Sequence, residues 1–222
     1  EIKSRVKETD MSVPQRQGDW WYYGRMEEGK SYGISCRVPV KDDPWTPPEV
    51  ADEMPGEQVI LDANELAEGH EFFSMGTSSV STSGRLLAYS TDTEGDERFT
   101  LRIKDLQSNS LLDDCLTDVF YGATWAGEDY LFYVRVDDAW RPYQVWRHKV
   151  GTAESEDVLV YQEDDEKFGV GVGADRAERF LYIVASSSLT SEYRVLPLTD
   201  PTAKFEVLWE REAGVEYHAE YA

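Results

Sequence analysis

Cysteine and histidine are scarce in this chain, and both scarcities limit the chemistry that it can carry. Its 222 residues include two cysteines, Cys36 and Cys115, and three histidines. Two dispersed thiols are too few for a disulfide scaffold or a zinc cluster. We expect both cysteines to be buried and unpaired, which fits a reducing compartment such as the cytoplasm.

Long apolar runs are also missing. No window approaches the roughly 18 uninterrupted apolar residues that cross a bilayer, and the first residues lack the apolar core of a signal peptide. We therefore expect no membrane partner. Hydrophobic residues still make up 41% of the chain and aromatic residues 13%. This content is too high for a disordered chain and is enough to build a substantial core.

Basic residues are half as frequent as acidic ones. The chain has 22 Lys and Arg against 44 Asp and Glu, which gives a net charge of −22 with histidines neutral. A surface of this sign repels phosphate backbones, which excludes nucleic-acid binding, and it disfavours anionic membranes. It attracts cationic partners over a long range. Solubility or adaptation to salt would produce the same composition.

Helical periodicity is scarce too, and its best stretch, residues 62–67, spans a turn or two. Strand patterns recur along almost the whole chain instead. Residues 130–136 (YLFYVRV) are aromatic and β-branched, and residues 143–147 and 99–104 alternate between apolar and polar side chains. Such alternation is typical of β-strands. The sequence predicts an all-β fold.

One pattern repeats at a spacing of about 40–50 residues. It consists of a small-residue strand, a polar turn, an apolar strand, an acidic hairpin, an alternating strand, another turn and a final strand. Four strands per unit at this spacing indicate a β-propeller, in which each small sheet buries both faces against its neighbours. A β-sandwich, which also has short strands and frequent turns, is the alternative.

About four such four-stranded antiparallel blades can be read from the sequence. The division is residues 1–17 as an N-terminal lead-in segment, 18–77 as blade 1 with a long connector, 78–119 as blade 2, 120–168 as blade 3, 169–213 as blade 4, and 214–222 as the start of a next blade.

No catalytic constellation is evident. Nucleophilic hydrolysis needs a Ser or Cys, a histidine base and an orienting carboxylate, and the chain has no G-x-S-x-G motif. His148 lies among alternating strand residues, which favours a structural role, and His70 lies in a predicted loop. His218 is the third candidate base. We predict no catalytic, cofactor-binding or metal-binding residue in this chain.

Motifs that suggest ligand binding have simpler interpretations. The glycines at 169, 171 and 173 are not followed by a helix pattern, so they indicate an inner blade strand rather than a phosphate loop. Residues 92–97 (DTEGDE) have carboxylates two apart, but they lack the distal Glu of a calcium loop and are flanked by strands. We expect a hairpin turn there, and solvated loops at 113–114 and 163–166.

Several phrases, in order, resemble the oligopeptidase B (protease II) branch of the prolyl oligopeptidase-type serine peptidases. They are residues 1–3 (EIK), 8–10 (ETD), 12–14 (SVP), 61–70 (LDANELAEGH), 72–73 (FF), 87–97 (LAYSTDTEGDE), 145–152 (VWRHKVGT) and 190–192 (TSE). The resemblance covers essentially the whole chain.

The resemblance implies a seven-bladed propeller that caps an α/β-hydrolase domain and restricts it to short peptides cleaved after Arg or Lys. The serine, aspartate and histidine of that family lie in the hydrolase part, so none is carried over to this sequence. Expected partners are the C-terminal hydrolase domain of the same parent chain and short basic peptides. Because four blades of seven leave open sheet faces, we expect the isolated chain to self-associate or to be marginally stable.

Two other functions remain open from the sequence. One is a stand-alone propeller that binds peptides or proteins without catalysis. The other is an enzyme that uses paired carboxylates in the axial tunnel, as glycosidase propellers do.

Overall fold

The computed structural model describes residues 10–41, 43–49, 51 and 54–219. Strands dominate these ranges and form four antiparallel sheets in chain order. Sheet 1 contains β1 (Asp10–Met11), β2 (Gln15–Gln17), β3 (Trp20–Met26), β4 (Ile34–Pro39) and β5 (Gln58–Asp62). Sheet 2 contains β6 (Ser74–Val80), β7 (Leu86–Asp92), β8 (Phe99–Asp105) and β9 (Ser110–Val119).

The other two sheets repeat this order. Sheet 3 contains β10 (Ala123–Ala126), β11 (Tyr130–Val136), β12 (Pro142–Lys149) and β13 (Val158–Gln162). Sheet 4 contains β14 (Gly169–Ala174), β15 (Phe180–Ser186), β16 (Ser191–Pro197) and β17 (Glu206–Trp209). A short helix, α1 (Ala63–Ala67), begins after Asp62, whose carboxylate accepts the Asn64 N–H, and joins sheets 1 and 2. A 3₁₀ turn, Glu154–Glu156, precedes β13.

Sheet 1 has five strands in four positions. β1 pairs with the end of β3 at Arg25 and Met26, and β2 pairs with its beginning at Trp20 to Tyr22. The two short strands therefore share one edge of β3 and act as a single interrupted first strand.

The sheets stack side by side because alternate side chains of each strand face different neighbours. In β11, Leu131 and Tyr133 pack with Leu101 and other residues of sheet 2. Phe132, between them, packs with Leu181 and other residues of sheet 4. Burial on both faces is how a propeller blade is stabilised, whereas a sandwich sheet turns one face to solvent.

The fold class is confirmed as a partial β-propeller of four blades, and the sandwich alternative is wrong. The first strand β10 contacts both β6 and β14, the first strands of the neighbouring sheets, so these strands lie at the inner end of their sheets. The strand at 169–174 is the inner strand that its glycines predicted.

Two segments differ from the predicted division. Residues 10–17, expected to belong to a lead-in, contribute the two short strands of sheet 1. Residues 210–219, which include the predicted start of a next blade, contain no strand. Tyr217 nevertheless binds the fourth sheet, since its hydroxyl accepts the Tyr193 N–H at 2.8 Å. Residues 1–9 and 220–222 of these predictions lie outside the described ranges.

Gly76 shows why the inner strands use small residues. A Cβ at this position would lie 2.5 Å from Ser90 Oγ and 2.7 Å from a ring carbon of buried Phe99. Ser90 Oγ is itself held by the Thr77 N–H at 2.8 Å, so it cannot move without losing a bond.

We therefore expect Gly76→Ala to destabilise the fold by about 1–3 kcal/mol through overpacking. Gly171→Ala is the matched control, because a Cβ there meets Val184 at an ordinary contact of 3.5 Å. Urea denaturation of both variants measures the difference, and equal stabilities would show that the inner strands tolerate side chains.

Candidate functional site

The turns of the four sheets separate onto two faces. In a four-stranded antiparallel sheet taken in chain order, the turn after the second strand and the exit from the fourth lie at the same end. We call this end the connector face. It comprises turns 27–33, 93–98, 137–141 and 187–190, connectors 63–73, 120–122 and 163–168, and segment 210–219.

The opposite end, which we call the hairpin face, carries the remaining turns. It comprises turns 18–19, 81–85, 127–129 and 175–179, the described part of 40–57, and turns 106–109, 150–157 and 198–205.

Large aromatic side chains are exposed on the connector face. Phe72 exposes 45% of its surface, Tyr121 44% and Trp140 44%. Tyr121 packs against Phe99 with ring centroids 4.8 Å apart, which fixes it at the boundary of sheets 2 and 3. Exposed aromatics that are held in place in this way are typical of binding surfaces.

Trp140 joins the turns of two neighbouring sheets. Its Nε1–H donates to the Asp96 carbonyl at 2.9 Å, and the Arg98 guanidinium lies 5.0 Å from its ring centroid. These contacts orient the indole while leaving nearly half of it accessible.

The acidic turn at 92–97 is a hairpin turn organised by one carboxylate. Asp92 accepts the backbone N–H groups of Glu94, Gly95 and Glu97 at 2.8–2.9 Å. Burial opposes ionisation, but these bonds outweigh it and lower the pKa of Asp92. Both Asp92 oxygens are thus used by the turn rather than offered to a cation.

Glu163 differs from its prediction as a solvated loop residue. It is buried and accepts bonds from Arg211 at 2.6 Å and from the Tyr161 hydroxyl at 2.8 Å. Arg211 also reaches Glu192 of β16 at 3.3 Å, so it links sheets 3 and 4. Burial opposes ionisation of Glu163, but Arg211 and Tyr161 outweigh it and lower its pKa. Residues 164–166 are exposed, as expected.

His148 is fully buried between two carboxylates. Its Nε2 lies 2.8 Å from Asp114 Oδ1 on β9, and its Nδ1 lies 2.6 Å from Asp157 Oδ1. Asp157 also accepts the Tyr133 hydroxyl at 2.8 Å, and Asp114 accepts the Gly151 N–H at 2.6 Å. This cluster therefore bridges sheets 2 and 3.

The chemistry of the cluster fixes its charge. A carboxylate only accepts hydrogen bonds, so an imidazole between two carboxylates binds both best when each ring nitrogen carries a proton. Burial alone would lower the pKa of His148, but the bonds to Asp157 and Asp114 outweigh it and raise the pKa above its usual value. Neither ring nitrogen of His148 is free to accept a proton from a nucleophile, so the geometry fits the structural role predicted for this residue.

The two residues of the acidic pair 113–114 differ in burial. The prediction of a solvated loop was wrong for Asp114, which is 3% exposed on β9, whereas Asp113 is exposed. A lone carboxylate pair in a sequence gives no signal of a histidine 34 residues away.

Cys36 is buried and Cys115 half-buried, and both are free thiols. Burial and the charge of Glu57 raise the pKa of Cys36 to about 11, so its reactive thiolate is rare.

The remaining histidines lie on the connector face. His70 is exposed in the connector after α1. His218 Nδ1 lies 2.8 Å from the hydroxyl of Tyr193 on β16. No group of three or more His, Cys, Asp or Glu side chains that could hold a metal ion occurs in the described part of the chain. Nor do those residues include a helix long and apolar enough to cross a bilayer.

The stacked sheets define a propeller module that exposes aromatic side chains on its connector face. The family described as "Prolyl oligopeptidase, N-terminal beta-propeller domain" matches residues 1–222. The chain belongs to this family.

Named relatives agree with this assignment. The chain is 38% identical to dipeptidyl aminopeptidase BI of Pseudoxanthomonas mexicana, over 100% of this chain and 31% of the relative. It is 32% identical to protease 2 of Moraxella lacunata, over 98% of this chain and 31% of the relative. The structure of oligopeptidase B from Leishmania major superposes with a TM-score of 0.88 at 31% identity, covering 97% of this chain and 30% of that one.

The chain thus spans about 30% of the length of these relatives. The peptidase activity in their names belongs to proteins about three times as long.

Proposed function

We propose that this chain is the N-terminal propeller of an oligopeptidase B-like serine endopeptidase that cleaves short peptides after Arg or Lys. The propeller has no catalytic residue of its own in this proposal. It acts as a cap that admits short, flexible peptides to a hydrolase domain elsewhere in the parent chain. The observation that carries the proposal is the match to protease 2 and to oligopeptidase B over nearly the whole chain.

The chemistry of acyl transfer is the reason to assign catalysis to the hydrolase domain rather than to the propeller. Acyl transfer needs a nucleophilic serine, a histidine base and donors for the oxyanion. His148, the buried histidine, has both ring nitrogens on carboxylates, so the described sheets offer it no role as a base. In this proposal the hydrolase domain supplies the triad, as the resemblance to oligopeptidase B implies.

The charge of the chain supports basic substrates. Its net charge of −22 raises the local concentration of cationic peptides around the cap. Glu94 and Asp138 are exposed acids in neighbouring turns of the connector face, beside the aromatic side chains.

We also place the parent protein in the cytoplasm, since both thiols are free.

Peptide kinetics of the parent protein test the specificity. We expect N-terminally blocked fluorogenic peptides with Arg or Lys before the scissile bond to be cleaved. The matching Gln peptide should have a kcat/KM at least about 100-fold lower. The reason is that an enzyme carboxylate that pairs with the cationic side chain of the substrate has no such partner when that side chain is Gln. Equal cleavage of the Gln peptide would contradict the proposed specificity.

The salt dependence of kcat/KM tests whether the negative charge of the chain attracts cationic substrates. Raising the ionic strength from about 0.01 M to about 1 M shortens the Debye length from about 30 to 3 Å, so kcat/KM for a doubly basic peptide is expected to fall several-fold. An Arg peptide made net neutral by an added Glu is the control and should lose less. No salt dependence would discard long-range attraction while leaving the specificity intact.

A second candidate function follows from the 38% identity to a dipeptidyl aminopeptidase. An enzyme of that kind releases dipeptides from a free N-terminus. The same kinetic experiment separates the two, because cleavage restricted to unblocked peptides favours the dipeptidyl aminopeptidase, whereas cleavage of blocked peptides favours the endopeptidase.

A further inference from the structure

The cluster around His148 joins sheets 2 and 3 through one carboxylate. Asp114 lies on β9 of sheet 2, whereas His148 lies on β12 of sheet 3. Two hydrogen bonds of the cluster cross the boundary, and both end on Asp114 Oδ1. They come from His148 Nε2 at 2.8 Å and from the Gly151 N–H at 2.6 Å. The contact that the cluster makes between the two sheets therefore depends on Asp114.

Strand β9 is irregular where it presents this carboxylate. Its residues 112–114 lie opposite the single residue Ile103 of β8, so the register shifts there. A β-bulge leaves the extra residues unpaired and redirects their side chains. Asp114 accordingly points inwards and is buried, while Asp113 before it is exposed. This part of β9 is held by fewer ladder bonds than a regular strand, which favours local opening.

The two carboxylates of the cluster are not equally supported. Asp157 uses both oxygens, since Oδ1 lies 2.6 Å from His148 Nδ1 and Oδ2 accepts the Tyr133 hydroxyl at 2.8 Å. Asp114 places both of its bonds on Oδ1, and its buried Oδ2 has no partner among the described residues. A buried polar atom without a partner is costly. Asp114 is therefore the more weakly held carboxylate.

Loss of a proton from His148 affects these two carboxylates differently. A neutral imidazole donates from one nitrogen and has a lone pair on the other. The shorter contact to Asp157 favours keeping the proton on Nδ1. Nε2 then turns its lone pair towards Asp114 Oδ1, which is repulsive and leaves the Gly151 N–H as the one donor to that oxygen.

The other polar groups beside the cluster do not replace His148 as the titrating member. Burial raises the pKa of Tyr133, so its hydroxyl keeps its proton while a histidine titrates. Arg135 and Glu154 lie next to Tyr133 and pair with each other at 2.5 Å. His148 is the member of the cluster whose charge changes between neutral and alkaline pH.

We propose that His148 is a pH-sensitive latch between sheets 2 and 3. Its protonated ring holds Asp114 across the boundary, and loss of one proton releases Asp114 and turn 150–157 while both sheets stay folded. The latch is closed at neutral and acidic pH and opens as the pH rises. It does not depend on the proposed function, because it lies within the propeller and involves no substrate.

Hydrogen exchange of the parent protein, followed by mass spectrometry at pH 6 and pH 9, tests the latch. Labelling times are adjusted so that intrinsic exchange is equal at the two pH values. We expect peptides covering 111–116 and 150–157 to lose protection at least about ten-fold at pH 9, since local opening removes the acceptor of the Gly151 N–H. Residues 181–185 of sheet 4 are the internal reference and should keep their protection.

Two results of this experiment would overturn the proposal. One is equal protection of 111–116 and 150–157 at both pH values. The other is a similar loss of protection at 181–185, because it would show that the whole propeller opens rather than one boundary.

Asp114→Asn tests the mechanism of the latch. An asparagine amide can donate to the lone pair of a neutral His148 while its oxygen still accepts the Gly151 N–H. Protection at 150–157 should then differ by less than about two-fold between the two pH values. His148→Gln, which removes the titrating group, should likewise show no pH dependence there.

Asp113→Asn is the matched control, because it removes the same charge from the exposed neighbour of Asp114. It should retain the ten-fold loss of protection at pH 9. A ten-fold loss in Asp114→Asn or in His148→Gln would overturn the latch. So would the absence of that loss in Asp113→Asn, which would assign the pH effect to net charge.

Discussion

His148→Ala is expected to lower the free energy of unfolding of the propeller by about 3–5 kcal/mol. The substitution removes the cation between Asp114 and Asp157 and leaves two carboxylates buried without their partner. Removing one member of a buried ionic cluster costs this much because the remaining charge stays desolvated. The shift of the urea midpoint of the parent protein, multiplied by the slope of the transition, measures the loss.

The matched control is His70→Ala, since His70 is exposed in a connector. Its effect should stay within about 0.5 kcal/mol, as is usual for surface substitutions. A loss below about 1 kcal/mol for His148→Ala would show that the cluster between sheets 2 and 3 does not stabilise the fold.

The cluster of His148, Asp114 and Asp157 also predicts how the free energy of unfolding changes with pH. The pKa of His148 is raised in the folded protein, so its protonated form is stabilised by folding. This contribution is complete below the pKa of an unfolded histidine, about 6.5, and is lost as the pH rises through the raised folded pKa. The stability difference between the native protein and His148→Gln should therefore be larger at pH 6 than at pH 9. A difference that grows with pH would contradict the protonated assignment.

Phe132→Ala is the second large expected effect, a loss of about 3–5 kcal/mol. Phe132 is fully buried between sheets 3 and 4, where it packs with Leu181 and Ile183. Its ring also meets Phe205 edge-on, with centroids 5.9 Å apart. Truncation leaves a cavity that neighbouring blades cannot close without shifting as units.

Leu111→Ala is the control for this substitution, because Leu111 is an apolar residue of β9 that exposes 51% of its surface. Urea denaturation should show a change within about 0.5 kcal/mol for Leu111→Ala. Similar losses for both variants would mean that the contact between stacked sheets contributes little.

The strands and their stacking could be predicted from the sequence because their signal is local. Alternation in residues 99–104 predicts β8, the aromatic and β-branched run at 130–136 predicts β11, and the small residues at 169–174 predict an inner strand. The repeat at a spacing of 40–50 residues then implies blades. β1 and β2 were missed because strands of two and three residues are too short to show alternation.

The polar links between blades could not be predicted, since they join residues distant in sequence. Asp114 and Glu163 were interpreted as solvated because acidic pairs usually are, yet His148 and Arg211 bring each into a buried contact. The connector face could not be predicted from the sequence either. Phe72, Tyr121 and Trp140 come together because each follows or precedes a strand at the same end of its sheet, and this end is known once the strand order is known.

Active-site labelling of the parent protein tests the central claim most directly. A fluorophosphonate probe phosphonylates an activated serine, and peptide mass spectrometry locates the labelled residue. We predict one labelled serine outside residues 1–222, with every serine of the four sheets unmodified. A labelled serine within residues 1–222 would contradict the assignment of this chain as a non-catalytic cap.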